Sequence, residues 1–370
     1  MMTERLVLPF YVKLAFIGIC LLMLFFVLYI GKDIVVPLLY ATVFAILLNP
    51  AVNRLQRLGL NRTLSIFLVL LLAFLLVAML IYFLSAQMAM FSETLPQFKV
   101  RFTQLFSDAL TWVSQTFNIK TAQIDAGIQQ MRDEGLSNST SMIGRTLSTV
   151  GGVFVVVFLL PVYIFMILFY KPLLLDFISQ LFPGERHGTV VEVLGETKVL
   201  IQSYLVGLLL EASIVATLNS TALLILGIQY AILLGIVGAL LNVIPYIGGI
   251  IAIALPMLVA LATKEPLYAL WVFLAYTIVQ LLDNNLIVPR VVASKVKINA
   301  LVSIVVVLLG GTLWGVAGMF LAIPLTAIVK VILDRIEPLK PFGFLLGDNM
   351  PPIGKNVFQF RNPKKRVTKN

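Results

Sequence analysis

Between Leu64 and Ala86 the chain carries no charged side chain. A helix built from this run is long enough to cross the roughly 30 Å hydrocarbon layer of a bilayer. Further apolar runs follow, uncharged except for Glu211 in the fourth of them: Leu14 to Ile30, Ile34 to Leu48, Val150 to Tyr170, Leu205 to Gly227, Ala231 to Ala262, Leu267 to Thr277 and Ala300 to Val329. In lipid, every backbone N–H and C=O must be satisfied within the protein, which leaves helices or a closed barrel. Short strands of alternating polarity, the mark of a barrel, are missing from the sequence. The expected fold is therefore an all-α polytopic membrane protein of about eight hydrophobic segments. Composition agrees, because 60% hydrophobic against 12% charged residues over 370 positions leaves too little polar surface for a soluble domain.

Residues 1–86 form the first three segments. Arg5 and Lys13 precede the first, as in a signal peptide. However, Leu28-Tyr-Ile-Gly-Lys-Asp lacks a small-x-small cleavage site, so a retained helix is expected. Ile34 to Leu48 starts near Pro37 and is expected to end at Asn49-Pro50. The next loop holds Arg54, Arg57 and Arg62 and no acid, which marks it as cytoplasmic and puts the N-terminus on the same side. Residues 87–149 form the long polar region, expected outside the cytoplasm. There Phe91, Leu95, Phe98, Phe102, Leu105, Ala109 and Trp112 recur at spacings of four and three, a narrow apolar seam for packing within the subunit, self-association or the membrane surface. Gly135-Leu-Ser-Asn-Ser-Thr-Ser reads as a turn. Residues 150–204 hold the fourth span, then two amphipathic helices expected on the inner surface and separated by Phe182-Pro-Gly. Residues 336–370 end in a basic tail. From Met350 onward it has six Lys or Arg and no acid, which suits a cytoplasmic position beside anionic lipid. No nucleic-acid motif accompanies these charges, although the net charge is +10.

The segment 205–335 is irregular in an informative way. Glu211 and Asn219 interrupt one span. A carboxylate there is costly as an isolated charge and is expected to face inward. Ala231 to Ala262 is too long for one untilted crossing and contains Asn242, Pro245, Tyr246, Gly248 and Gly249. Pro245 removes a helical hydrogen bond, and such breaks survive at membrane depth only where protein or water satisfies the freed groups. Gln280-Leu-Leu-Asp283-Asn284-Asn285-Leu-Ile-Val-Pro289-Arg290 then puts a carboxylate and amides beside apolar runs. Topology turns on the break. A single crossing puts the basic loop Pro289 to Asn299 outside, whereas a hairpin bent at Pro245 to Gly249 keeps it inside. The hairpin is the preferred reading, and it requires a second one bent at Gly310-Gly311.

Asn242-Val-Ile-Pro245-Tyr246-Ile-Gly248-Gly249, Gln280 to Arg290, and Gly310-Gly311-Thr-Leu-Trp-Gly315-Val-Ala-Gly318 with Pro324 together resemble the AI-2E family of bacterial membrane proteins, also called the autoinducer-2 exporter or PerM-like permease family. The resemblance is clearest over Leu200 to Lys330. It implies a multi-pass protein of the bacterial inner membrane that exports the quorum-sensing signal autoinducer-2. It also implies a second option, Na+(Li+)/H+ antiport, as described for some relatives.

No enzyme constellation accompanies these motifs. A phosphate loop, a His-Glu-x-x-His pair and a nucleophile elbow are all missing from the sequence. No cofactor or metal site is expected: Cys20 reads as helix packing and His187, the one histidine, as a surface residue. The expected site is a polar pathway lined by Glu211, Asn242, Tyr246, Gln280, Asp283, Asn284 and Asn285, with Pro245, Gly248, Gly249, Pro289, Gly310 and Gly311 as hinges or re-entrant tips. Its ligand would be a small polar solute, a monovalent cation or a proton. A non-transporting scaffold is the alternative from another class; the seam makes a homo-oligomer the expected assembly in either case.

Overall fold

The computed structural model describes residues 9–117, 158–182, 184, 187–244, 247–293 and 298–348. Among these the regular structure is helical throughout, in ten α-helices with π-helical and 3-10 additions. The helices are α1 (Phe10–Ile30), α2 (Lys32–Arg57), α3 (Arg62–Phe117), α4 (Phe158–Leu181), α5 (His187–Ile225), α6 (Ala231–Asn242), α7 (Ile247–Thr263), α8 (Pro266–Leu282), α9 (Ala300–Arg335) and α10 (Lys340–Leu346). Six of the described helices are long and apolar enough to cross a membrane, namely α2 to α5, α8 with its extension, and α9. The chain is a multi-pass, all-α membrane protein. Helix α1 is exposed along nearly its whole length, as an apolar helix facing lipid would be.

Several boundaries differ from those expected. Pro50 does not end α2, which runs on to Arg57, while Asn49 is buried and accepts a hydrogen bond from Lys171 Nζ at 3.0 Å. The stretch after Tyr170 forms no separate surface helix, because α4 continues to Leu181 and α5 begins at His187. Helix α3 does not stop at the membrane boundary either. Its 56 residues make a rod of about 84 Å, so it carries the start of the polar region as one continuous helix. Most side chains of the apolar seam, the turn at Gly135 and the basic tail lie outside the described residues.

Helix α5 is the hub: it packs against α2, α6, α8 and α9. Helices α6 and α7 form an antiparallel hairpin. Gly238 faces Ala252, and further along Gly248 lies on the Leu241 carbonyl so tightly that a Cβ would overlap it. With 12 residues, α6 rises about 18 Å and stops short of a full crossing. At the opposite end of the hairpin, Tyr230 Oη donates to the Met90 carbonyl at 3.2 Å, and its ring meets Phe91 edge-on.

Helix α9 is a second hairpin. It folds back at Trp314 and Gly315, where Gly315 has φ 61° and ψ −143°, a conformation that L side chains avoid. The bend therefore lies beyond Gly310-Gly311, where the sequence reading put it. Gly310 instead meets Gly318 backbone to backbone across the two arms. The missing Cβ there serves close approach rather than turning. The mouth of this hairpin is held at α5's start, where Arg335 pairs with Glu192 at 2.8 Å and with Glu196. The first hairpin has its base at α5's far end, beside the turn after Ile225. The two hairpins thus enter from opposite faces.

Candidate functional site

Antiparallel packing brings the tip of the first hairpin to one level of the bundle. Gly235 lies against Ser220, so on α5 the hairpin's tip comes level with Glu211. Val215, Ala239 and Val279 pack together immediately beside that level, joining α5, α6 and α8. On the other arm, a Cβ at Gly249 would meet Gln280 Oε1 at 3.2 Å and Asn242 Oδ1 at 3.5 Å. Asn242, Gly249 and Gln280 therefore surround one point, although Gln280 lies 38 positions from Asn242 in the chain.

Asp283 completes the group. It is only 1% exposed, and its Oδ2 accepts a hydrogen bond of 2.8 Å from Asn242 Nδ2. Its other oxygen, Oδ1, has no hydrogen-bond partner among the described residues. Glu211, also buried, is close enough for the two carboxylates to interact electrostatically. No described lysine, arginine or histidine forms an ion pair with either. Two buried acids without a base are costly to keep charged, and such intramembrane acids mark ion and solute pathways.

The backbone that carries Asp283 is itself unusual. Asp283–Ile287 and Pro289–Ala293 are π-helical, widening the end of α8. Single π-turns are rare and occur often at functional sites. This widening separates three neighbours that look alike in sequence. Asp283 turns inward, whereas Asn284 is exposed and accepts from Gln280 Nε2 at 3.3 Å. Asn285 is exposed too and donates back to the Leu281 carbonyl at 2.8 Å. Asn284 and Asn285 thus lie on the exposed side of the segment that buries Asp283. Pro245 and Tyr246 lie outside the described residues; Gly248 and Gly249 sit at the hairpin tip, and Pro289 opens the second π-turn.

Two buried tyrosines escaped the sequence reading. Tyr276, 3% exposed on α8, points its hydroxyl at Gly238 and finds no hydrogen-bond partner among the described residues. Tyr204 lies on α5 near enough to Glu211 to interact electrostatically. Asn219, which the sequence did flag, is buried, and its Oδ1 has no hydrogen-bond partner among the described residues. Spacing alone signals two of these, since Tyr204, Glu211, Val215 and Asn219 recur every seven and four residues on one face of α5. Among the described residues no group of His, Cys, Asp and Glu could hold a metal ion.

The family model described as AI-2E family transporter matches residues 19–337. Similar proteins include the putative transport protein YueF of Bacillus subtilis, 27% identical over 82% of this chain and 84% of its own length. The putative permease PerM of Escherichia coli is 29% identical over 84% of this chain and 89% of its own. The AI-2 transport protein TqsA of the same organism is 24% identical over 86% and 90%. A match over most of its length, across both hairpins and the Asp283 site, makes this chain a member of the AI-2E family of transporters.

Proposed function

We propose that the protein is a secondary transporter that exports a small polar solute across the bacterial inner membrane, with autoinducer-2 as its substrate. The observation that carries this reading is the hydrogen bond from the half-buried Asn242 to the buried Asp283, at the tip of a hairpin whose first arm is too short to cross the membrane. Broken helices at such a depth supply polar groups to solute sites in transporters. Asp283 Oδ1, Asn242 Oδ1 and Gln280 can hydrogen-bond a hydroxylated solute, and the low dielectric around the buried Asp283 strengthens the bond made there. Similarity to the AI-2 transport protein TqsA supports autoinducer-2 as the solute. The arginine-bearing turn between α2 and α3 faces the cytoplasm in this reading, as do both termini.

Purified protein in liposomes tests it. Autoinducer-2 flux should be saturable and should fall to background in Asp283→Asn and Asn242→Leu, with both variants still monodisperse. Flux equal to that of empty liposomes, or unchanged in both variants, overturns the reading.

A second reading, cation/proton antiport, is favoured by the buried pair Glu211 and Asp283, which lacks a basic partner among the described residues. Inverted vesicles should then show a Na+-dependent collapse of a pH gradient that Glu211→Gln abolishes. A gradient that ignores Na+ removes this reading.

A further inference from the structure

Away from Asp283, a groove of about 890 Å³ lies between the corner joining α1 to α2, the start of α4 and the turn of the second hairpin. One wall follows α2 from Lys32 to Phe44, roughly 18 Å of helix rise. Its depth is apolar and aromatic, lined by Val36, Tyr40, Phe44, Leu160 and Trp314. The mouth is different: Lys32 and Asp33 stand there, both exposed and neither in an ion pair among the described residues. The Lys32 ammonium sits over the Tyr29 ring, 5.7 Å from its centre. Arg54 and Arg57 close the other end of α2, about 33–38 Å away, close to the span of one bilayer. The mouth therefore lies at the membrane boundary and the groove descends into the hydrocarbon layer.

An apolar groove with one cation and one anion at its mouth has the form of a phospholipid site. We propose that it holds one zwitterionic phospholipid with a free ammonium headgroup. Lys32 receives the phosphate and Asp33 accepts hydrogen bonds from the ammonium. One acyl chain lies along Val36, Tyr40 and Phe44. The mixed charge selects the class: an anionic headgroup would satisfy Lys32 but face Asp33 as a like charge. A trimethylated ammonium has no N–H to donate to the carboxylate. The lipid would rest on the hairpin turn, where Trp314 Nε1 donates to the Leu28 carbonyl at 3.0 Å and Tyr40 Oη to the Ala317 carbonyl at 3.2 Å. Membrane composition thereby bears on the second hairpin, whatever solute the protein moves.

Native mass spectrometry of the delipidated full chain tests this, using phosphatidylethanolamine, phosphatidylglycerol and phosphatidylcholine with matched acyl chains. One phosphatidylethanolamine per chain should be retained in preference to the others. Lys32→Gln should lose it, Asp33→Asn should shift the preference to phosphatidylglycerol, and Val36→Trp, which fills the groove, should retain none. In a chain whose Trp112 and Trp271 are replaced by Phe, phosphatidylethanolamine with brominated acyl chains should quench Trp314. Melting curves confirm that each variant is folded before it is scored. Preference for phosphatidylglycerol by the unaltered chain, retention unaffected by Val36→Trp, absence of Trp314 quenching, or a second copy of the chain covering the groove would each overturn the proposal.

Discussion

At Asp283, one hydrogen bond separates a tolerated carboxylate from an intolerable one. Replacing Asn242 with Leu strips the Nδ2 donor and leaves both carboxylate oxygens unpartnered among the described residues, at a cost of about 1–3 kcal/mol. The melting temperature of the purified protein should fall in Asn242→Leu and recover when Asp283→Asn is added, because the amide carries no charge to bury. A double-mutant cycle showing no coupling between the two positions would contradict the pairing. Sequence alone put Asp283, Asn284 and Asn285 on equal terms. What divides them is rotation about a π-turn, a backbone choice that no side chain in the motif announces. Glu211 was legible because a carboxylate in an apolar run has to face inward. Tyr276 was not, because a tyrosine in such a run is unremarkable until its hydroxyl is found buried.

The elements that matter most are the two hairpins, and their glycines divide into those that turn and those that touch. Gly310 and Gly318 touch, so Ala at either position drives a Cβ into the opposing backbone and should destabilise by about 1–3 kcal/mol. Gly18 has no atom within 4 Å of a built Cβ, and Gly18→Ala should be neutral or stabilise by about 0.5–1 kcal/mol. Thermal melts of the three variants check the contrast. Asn299 holds the mouth of the second hairpin. Its Oδ1 caps α9 through Val302 N at 2.9 Å, while its Nδ2 donates to the Leu345 carbonyl at 2.7 Å. Asn299→Asp keeps the cap and loses the donor, so hydrogen exchange should quicken in α10 alone. Asn299→Ala should quicken exchange at the start of α9 as well, with about 1 kcal/mol lost. Glycine pairs mark both bends and contacts, which is why the sequence put the second turn at Gly310-Gly311. Only the facing arm shows which role each glycine has.

Across the whole molecule, α5 connects two hairpins based at its opposite ends, and the orientation proposed above puts the α2–α3 turn on the cytoplasmic side and the α7–α8 turn on the other. Single cysteines at these turns test the arrangement. In a Cys20→Ser background, Leu58→Cys should react with an impermeant maleimide only from the cytoplasmic side. Glu265→Cys should react only from the opposite side. Labelling of both from one side would invalidate the proposed orientation and the hairpin entry points together. The salt bridges from Arg335 to Glu192 and Glu196 are exposed, and raising the ionic strength should weaken them without unfolding the bundle.

By itself, the sequence determined that this is a helical membrane protein, roughly where its spans run, and that its second half is broken by polar and helix-disrupting residues. Hydrocarbon enforces these features locally, since each apolar run must bond its own backbone and each charge must find shelter. Tertiary structure decided what shelters what. It set the turn at Gly315, the inward rotation of Asp283 and the meeting of Asn242 with a carboxylate 41 residues away. These depend on helix register and crossing, which arise from packing between segments and are invisible within any one of them.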